Sequence, residues 1–78
     1  MRCIGYLTSA EGLLIPEDKD FSSLPDSIKK RFEKPILTKR INIQLVDGGI
    51  ALNTKEALKN IEEQGYHIGS YKVISKIL

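Results

Sequence analysis

Few residues of this 78-residue chain are equipped for chemistry. Cys3 is its one cysteine and His67 its one histidine, so a thiol beside an imidazole is the nucleophile-and-base pair these two types can build. That pair requires the first and last strands to lie side by side. Cys3 sits in the apolar run RCIGYLT, where a packed thiol is the ordinary outcome. His67 follows Tyr66 at the end of an element, where an exposed or hydrogen-bonded strand residue is expected, and one histidine excludes a multi-histidine metal site. Glu17, Asp18 and Asp20 offer oxygen ligands to a divalent cation, but the calcium-loop spacing with its central glycine and closing glutamate is absent, and a solvated loop is the simpler reading. Gly48 and Gly49 lack the further glycines of a phosphate loop and read as a turn. Tyr6 and Tyr66 can line a pocket with Cys3, although strand tyrosines usually fill a sheet face. Neither a metal nor a cofactor is expected from this set.

The stronger signal is charge. Between Lys29 and Arg40 lie Lys29, Lys30, Arg31, Lys34, Lys39 and Arg40 against the single acid Glu33, a local charge of +5. Residues 11–26 carry five acids and one base, Lys19, a local charge of −4, within a whole-chain charge of only +2. A basic run of this kind can contact phosphates or an acidic protein. The competing reading is a solubilised helix end complemented by the acidic loop before it. The aromatic-interleaved signature of an RNA-binding sheet is missing.

These residues must be positioned by short elements. Arg2–Thr8 and Leu13–Ile15 read as a strand hairpin around a turn at Ser9, Ala10, Glu11 and Gly12, with Pro16 at the end of the second strand and a loop over residues 17–20. In KDFSSLPDSIKKRF, Ser23 with Asp26 resembles a capping box and Pro25 suits a first turn, so a helix is expected from about Leu24 to Glu33, with Leu24, Ile28 and Phe32 on one face and Pro35 beyond it. Ile41, Ile43 and Leu45 alternate with polar residues, which predicts a half-buried strand. Asp47, Gly48 and Gly49 mark a turn, and Ile50–Leu52 a short returning strand. Asn53 reads as the cap of a helix over residues 54–64, with Ala57, Leu58 and Ile61 inward, Lys59 and Glu63 paired on its surface, and Gly65 as its stop. Tyr66–Ile68 reads as a last strand, and Ser70 caps a terminal helix carrying Tyr71, Val73, Ile74, Ile77 and Leu78, although a strand fits that tail almost as well.

The expected architecture is α+β: a small α/β sandwich in which a short, mostly antiparallel sheet is packed by two or three helices in the order ββαββαβα. With 41% hydrophobic and 28% charged residues the chain falls in the ordinary globular range. Its length fits one domain, residues 1–78, and its lone cysteine forms no internal disulfide, so an apolar core must hold it. A basic leader with an apolar run is absent, and nowhere do about 18 apolar residues follow one another. A cytoplasmic monomer without membrane contact is expected.

In order and spacing these motifs resemble the YcgL family of small bacterial proteins. Met1, Cys3 and Tyr6 match its N-terminal pattern, and DFSSLPD, Asp20 to Asp26 with Pro25, matches its acid, Phe-Ser, hydrophobic, Pro, acid pattern. Phe32 and Pro35 match its aromatic helix end leading to a proline, and EQGY, Glu63 to Tyr66 with Gln64 and Gly65, matches its Glu-Gln-Gly-Tyr signature. The likeness runs from residue 1 to about residue 68. Ser23 stands where the family usually has Arg, Glu33 where it has Gly, and Gly48 and Gly49 where it has a basic pair; GSYKVISKIL lacks its Pro-rich segment. The resemblance implies a small α/β sandwich and, the family being uncharacterised, little about activity.

Two functional expectations follow. The first is a non-enzymatic binding or adaptor module that holds a protein or nucleic acid through Lys29, Lys30, Arg31, Lys34, Lys39 and Arg40, with Asp20 and Phe21 at the edge of the surface. The alternative is a small enzyme or ligand-binding domain with a cleft near Cys3, Tyr6 and Tyr66. The first is preferred, because one cysteine and one histidine supply no nucleophile with its orienting groups.

Overall fold

A computed structural model describes the backbone of residues 1–43 and 51–78. Strand β1 (Arg2–Leu7) alternates buried positions with exposed Arg2 and half-buried Ile4 and Tyr6, and β2 (Glu11–Pro16) pairs with it antiparallel, Leu7 opposite Gly12 and Cys3 opposite Pro16. Glu11 and Gly12 therefore belong to a strand rather than to the turn. The turn is made by Thr8, whose Oγ1 accepts from the amides of Ala10 and Glu11 and donates to the Glu11 carbonyl. Gly12 is a strand glycine because α3 packs against it, a reason that local turn chemistry does not reveal.

Strand β3 (Leu37–Asn42) joins the other side of β1, and β4 (His67–Ser70) joins the other side of β2, so a four-stranded antiparallel sheet runs β3-β1-β2-β4. Ile41 and Ile43 continue the expected alternation, with Ile43 buried and its amide bonded to the Met1 carbonyl at 2.8 Å. Leu45 and the turn at Asp47, Gly48 and Gly49 lie outside the described residues. So does Ile50, but Ala51 and Leu52 open helix α2 (Ala51–Gln64) and are not strand. Asn53 consequently stands inside that helix and not at its cap, since the helical backbone starts before the residue whose side chain suggested a start.

The first helix is shorter than its sequence suggests. Phe21–Ser23 forms a 3₁₀ turn capped by Asp20, whose carboxylate accepts from the Ser22 amide at 3.1 Å. The Ser23 hydroxyl is spent on the Asp20 carbonyl at 2.6 Å and does not cap a helix. Helix α1 then covers only Asp26–Arg31, with Pro25 at its N-cap and no side chain capping it. Phe32 and Glu33 fall past its end. The inward face is nonetheless the expected one: Leu24, Ile28 and Phe32 are buried against Leu13 and Ile15, with Ile4, Tyr6, Phe21, Tyr66 and Ile68 around them.

The opposite sheet face is covered by α2 and by α3 (Tyr71–Ile77), over Cys3, Leu7, Leu14, Ile43, Ala57, Ile61 and Ile74. Ala57 and Ile61 are buried and Leu58 half-buried, as the helical spacing requires, while Lys59 and Glu63 form no ion pair. Gly65 ends α2 in the left-handed region at φ +89°, its amide bonded to the Ile61 carbonyl at 2.8 Å. Ser70 caps α3 by accepting from the Val73 amide at 3.4 Å, so the tail is helical. Tyr71 in its first turn faces solvent. The chain is thus an α+β sandwich with an antiparallel sheet between two helical layers.

Candidate functional site

The candidate catalytic residues are dispersed by the sheet. Cys3 points into the core under α2 and α3, whereas Tyr6 and Tyr66 belong to the opposite core, under α1. No single cleft can collect all three. His67 does share the Cys3 face, being opposite Leu14, which is opposite Gly5. Strand β2 stands between β1 and β4, however, and two strand spacings with a two-residue offset separate the Cα atoms of Cys3 and His67 by roughly 12 Å. Burial pushes the Cys3 thiol up from its ordinary range, against a smaller downward pull from the N-terminal amine, so at neutral pH it is a thiol and a poor nucleophile. Tyr6 is shifted the same way by burial and by nearby Asp20, and its ring lies 5.2 Å from that of Phe21.

His67 has a structural assignment instead. It is buried, and the Asn60 side-chain amide donates to its Nδ1 across 2.9 Å, which leaves the proton of the neutral ring on Nε2. Burial lowers its pKa below the usual 6.5, outweighing the upward pull of Glu56. A depressed folded pKa means that the unfolded chain binds the proton more readily, so this contribution is complete above 6.5 and is lost as pH falls through the folded pKa. Unfolding free energy measured by urea between about pH 7.5 and about 5.5 is expected to decline in the native chain and to decline less in His67→Gln. Equal slopes in the two chains would show that His67 does not govern this range.

Among the acids, Glu17 faces Arg40 at 3.6 Å and Asp20 is engaged as the cap of the 3₁₀ turn, which holds its pKa below the carboxylate range. Among the described residues no three of His, Cys, Asp and Glu converge on a metal-sized site.

The six bases are divided by geometry. Lys29, Lys30 and Arg31 occupy the last turn of α1, where cations suit the helix dipole. Lys29 lies 3.1 Å from Asp26 and reaches the Ser22 carbonyl, and Arg31 forks onto Glu11, its Nε donating to Oε2 at 2.8 Å. The acidic segment before α1 therefore neutralises part of the run. Arg40 leans to the α1 side of β3, whereas Lys39 leans to the other side and donates to the Leu78 carbonyl at 2.8 Å. Lys30 and Lys34 meet no acid among the described residues. Phe21 borders a shallow groove with Asp26, Ser27, Lys29, Lys30 and Glu33, at the edge of the α1 surface.

One feature was missed by reading charge alone. Ile36 and Leu37, at the start of β3, are 67% and 44% exposed and lie between Lys34 and Lys39. The signal available was the neighbouring pair of apolar residues directly after Pro35, in a segment whose later residues carry the strand alternation.

The motif residues have structural duties. Pro25 begins α1, the Gln64 amide donates to the Tyr66 carbonyl at 3.1 Å, Gly65 reverses the chain, Tyr66 packs under α1, and Pro35 precedes β3. No helix among the described residues is long and apolar enough to cross a membrane.

No family model matches the chain, and no solved structure does. Two curated proteins of Vibrio cholerae serotype O1 do match, both named YcgL domain-containing protein. That of the classical Ogawa strain is 34% identical over 59 residues, and that of the El Tor Inaba strain 33% identical over 57. Each alignment covers 72% of this chain and 60% of the relative, so the chain spans about 60% of the length of the proteins it matches. At this identity and coverage the two relatives place the chain in the YcgL family.

Proposed function

We propose that this chain is a non-enzymatic binding module that holds a protein partner through the surface of residues 29–40. One observation carries the reading: Lys34 and Lys39, which meet no acid among the described residues, flank the exposed side chains of Ile36 and Leu37 along the chain. Cations beside exposed apolar groups suit a protein surface, which offers both carboxylates and apolar contacts. A phosphate backbone rewards charge alone, and Lys29 and Arg31 are already matched by Asp26 and Glu11.

The test is affinity capture from the source cell with the native chain and with Lys30→Glu/Lys34→Glu, two exposed substitutions, alongside titration with single-stranded RNA and duplex DNA at low and high salt. The expected result is a protein partner retained by the native chain, weakened about tenfold or more in the variant, and no oligonucleotide binding at low salt. A partner held equally by both chains, or oligonucleotide binding with a steep salt dependence, would overturn the proposal.

A further inference from the structure

The geometry points to β3 as an acceptor edge: we infer that it takes an extended acidic segment of a partner protein as a fifth strand of the sheet. This rests on the reading of residues 29–40 as a protein-binding surface and specifies how the partner is held.

Strand β3 is the outermost strand on its side, and no described segment lies along its outer edge. Mutual bonds between Met1 and Ile43, at 2.8 and 2.7 Å, set the phase of the ladder with β1. In an antiparallel pair, bonded and non-bonded positions alternate, so Ile41, Lys39 and Leu37 bond inward to β1. The amides and carbonyls of Thr38, Arg40 and Asn42 therefore point outward, and among the described residues nothing receives them. Three successive donor–acceptor positions on one edge form the template that strand addition uses. The sheet's other edge, β4, is only four residues long against six in β3.

Side chains on the edge select the occupant. Arg40, with its side chain 80% exposed, projects on the α1 side, and Lys39 projects on the other side between Leu37 and Ile41. An added strand places its residues directly opposite these, where opposite charges stabilise and like charges destabilise. A second copy pairing antiparallel through the outward amides would set Arg40 opposite Arg40 or Lys39 opposite Lys39 in the registers centred on the edge. Self-addition is thereby disfavoured. A foreign segment with adjacent carboxylates for Arg40 and Lys39, and apolar residues for Ile41 and Leu37, satisfies every position.

The probe is a capped heptapeptide, Thr-Val-Glu-Glu-Thr-Val-Thr, which in antiparallel register sets its two glutamates against Arg40 and Lys39. In the native protein its binding is expected to slow exchange of the Thr38, Arg40 and Asn42 amides, which the β1 ladder does not protect. Methylating the backbone nitrogen of the first Glu or the second Thr is expected to abolish binding. Methylating the second Glu or the second Val is expected to leave it nearly unchanged. Lys39→Glu/Arg40→Glu is expected to weaken binding about tenfold or more, with its melting temperature recorded to establish folding. The methylation series uses the native chain and so remains decisive if that variant unfolds. Binding that depends on charge but not on which nitrogens are methylated overturns strand addition while leaving the module reading intact. No binding at millimolar peptide, or peptide displacement by RNA, also overturns it. A cellular partner indifferent to Lys30→Glu/Lys34→Glu is the separate failure that removes the underlying reading.

Discussion

Phe32→Ala is expected to remove about 3–5 kcal/mol of stability, the usual cost of emptying a fully packed aromatic site. A chain of 78 residues commands roughly 4–12 kcal/mol in total, so the variant should lose about a quarter or more of its stability and unfold at markedly lower urea. Phe32 is 1% exposed although it stands just beyond the last residue of α1. Its ring is the largest fully buried side chain among the described residues, and it anchors a helix of only six residues to Leu13 and Ile15. Such a helix has no stability of its own, because nucleation consumes most of what its few hydrogen bonds return. Loss of the ring therefore releases α1 together with the bases it carries. Urea unfolding is the measurement: Phe32→Leu, which keeps most of the volume, should cost under about 1.5 kcal/mol. An alanine variant no less stable than the leucine variant would show that α1 is held by something other than this contact.

The layered architecture was legible because its signals are periodic. Leu24, Ile28 and Phe32 specify one helical face, Ala57, Leu58 and Ile61 another, and Gly65 and Ser70 mark a stop and a start through local backbone chemistry. Boundaries were less legible where two local devices compete for the same segment. Ser23 can cap a helix or close a 3₁₀ turn, and Asp20 prevails by accepting from Ser22 three positions earlier than a Ser23-capped helix would begin. Asn53 can cap a helix or sit within one, and the helix begins at Ala51. The candidate site was only half legible. Charge located the bases, but their division depends on strand pairing: adjacent residues Lys39 and Arg40 point to opposite faces because β3 is a strand. Separation of Cys3 from His67 likewise follows from β2 inserting between β1 and β4, a non-local choice that neither residue encodes. The edge position of β3 is of the same kind, since an edge is defined by having no further strand beside it among the described residues.

Gly12→Ala is expected to lower the melting temperature by roughly 10–20 °C, which corresponds to about 2–3 kcal/mol of overpacking in a domain of this size. A Cβ at Gly12 would fall within 3.0 Å of the Cβ, Cγ1 and Cγ2 atoms of Ile74, and the first of these cannot withdraw by rotating a side chain. Ile74 is fully buried, and it lies also over Gly69, which is directly opposite Gly12 on β4. Two facing glycines thus form a slot on neighbouring strands into which α3 inserts one branched side chain. The alternative account of Gly12, a turn residue needed for its backbone freedom, predicts an effect independent of Ile74. A double-mutant cycle separates the two. Ile74→Ala alone should cost about 2–5 kcal/mol by leaving the slot empty. In the Gly12→Ala chain the same truncation should cost less, because it removes the clashes with Cγ1 and Cγ2 and leaves only that with the retained Cβ. Coupling of this sign between contacting residues is commonly 0.5–3 kcal/mol, well above the roughly 0.3–0.5 kcal/mol scatter of independent sites. Strict additivity of the two substitutions in urea unfolding would mean that Gly12 serves the backbone of β2 and not the seating of α3.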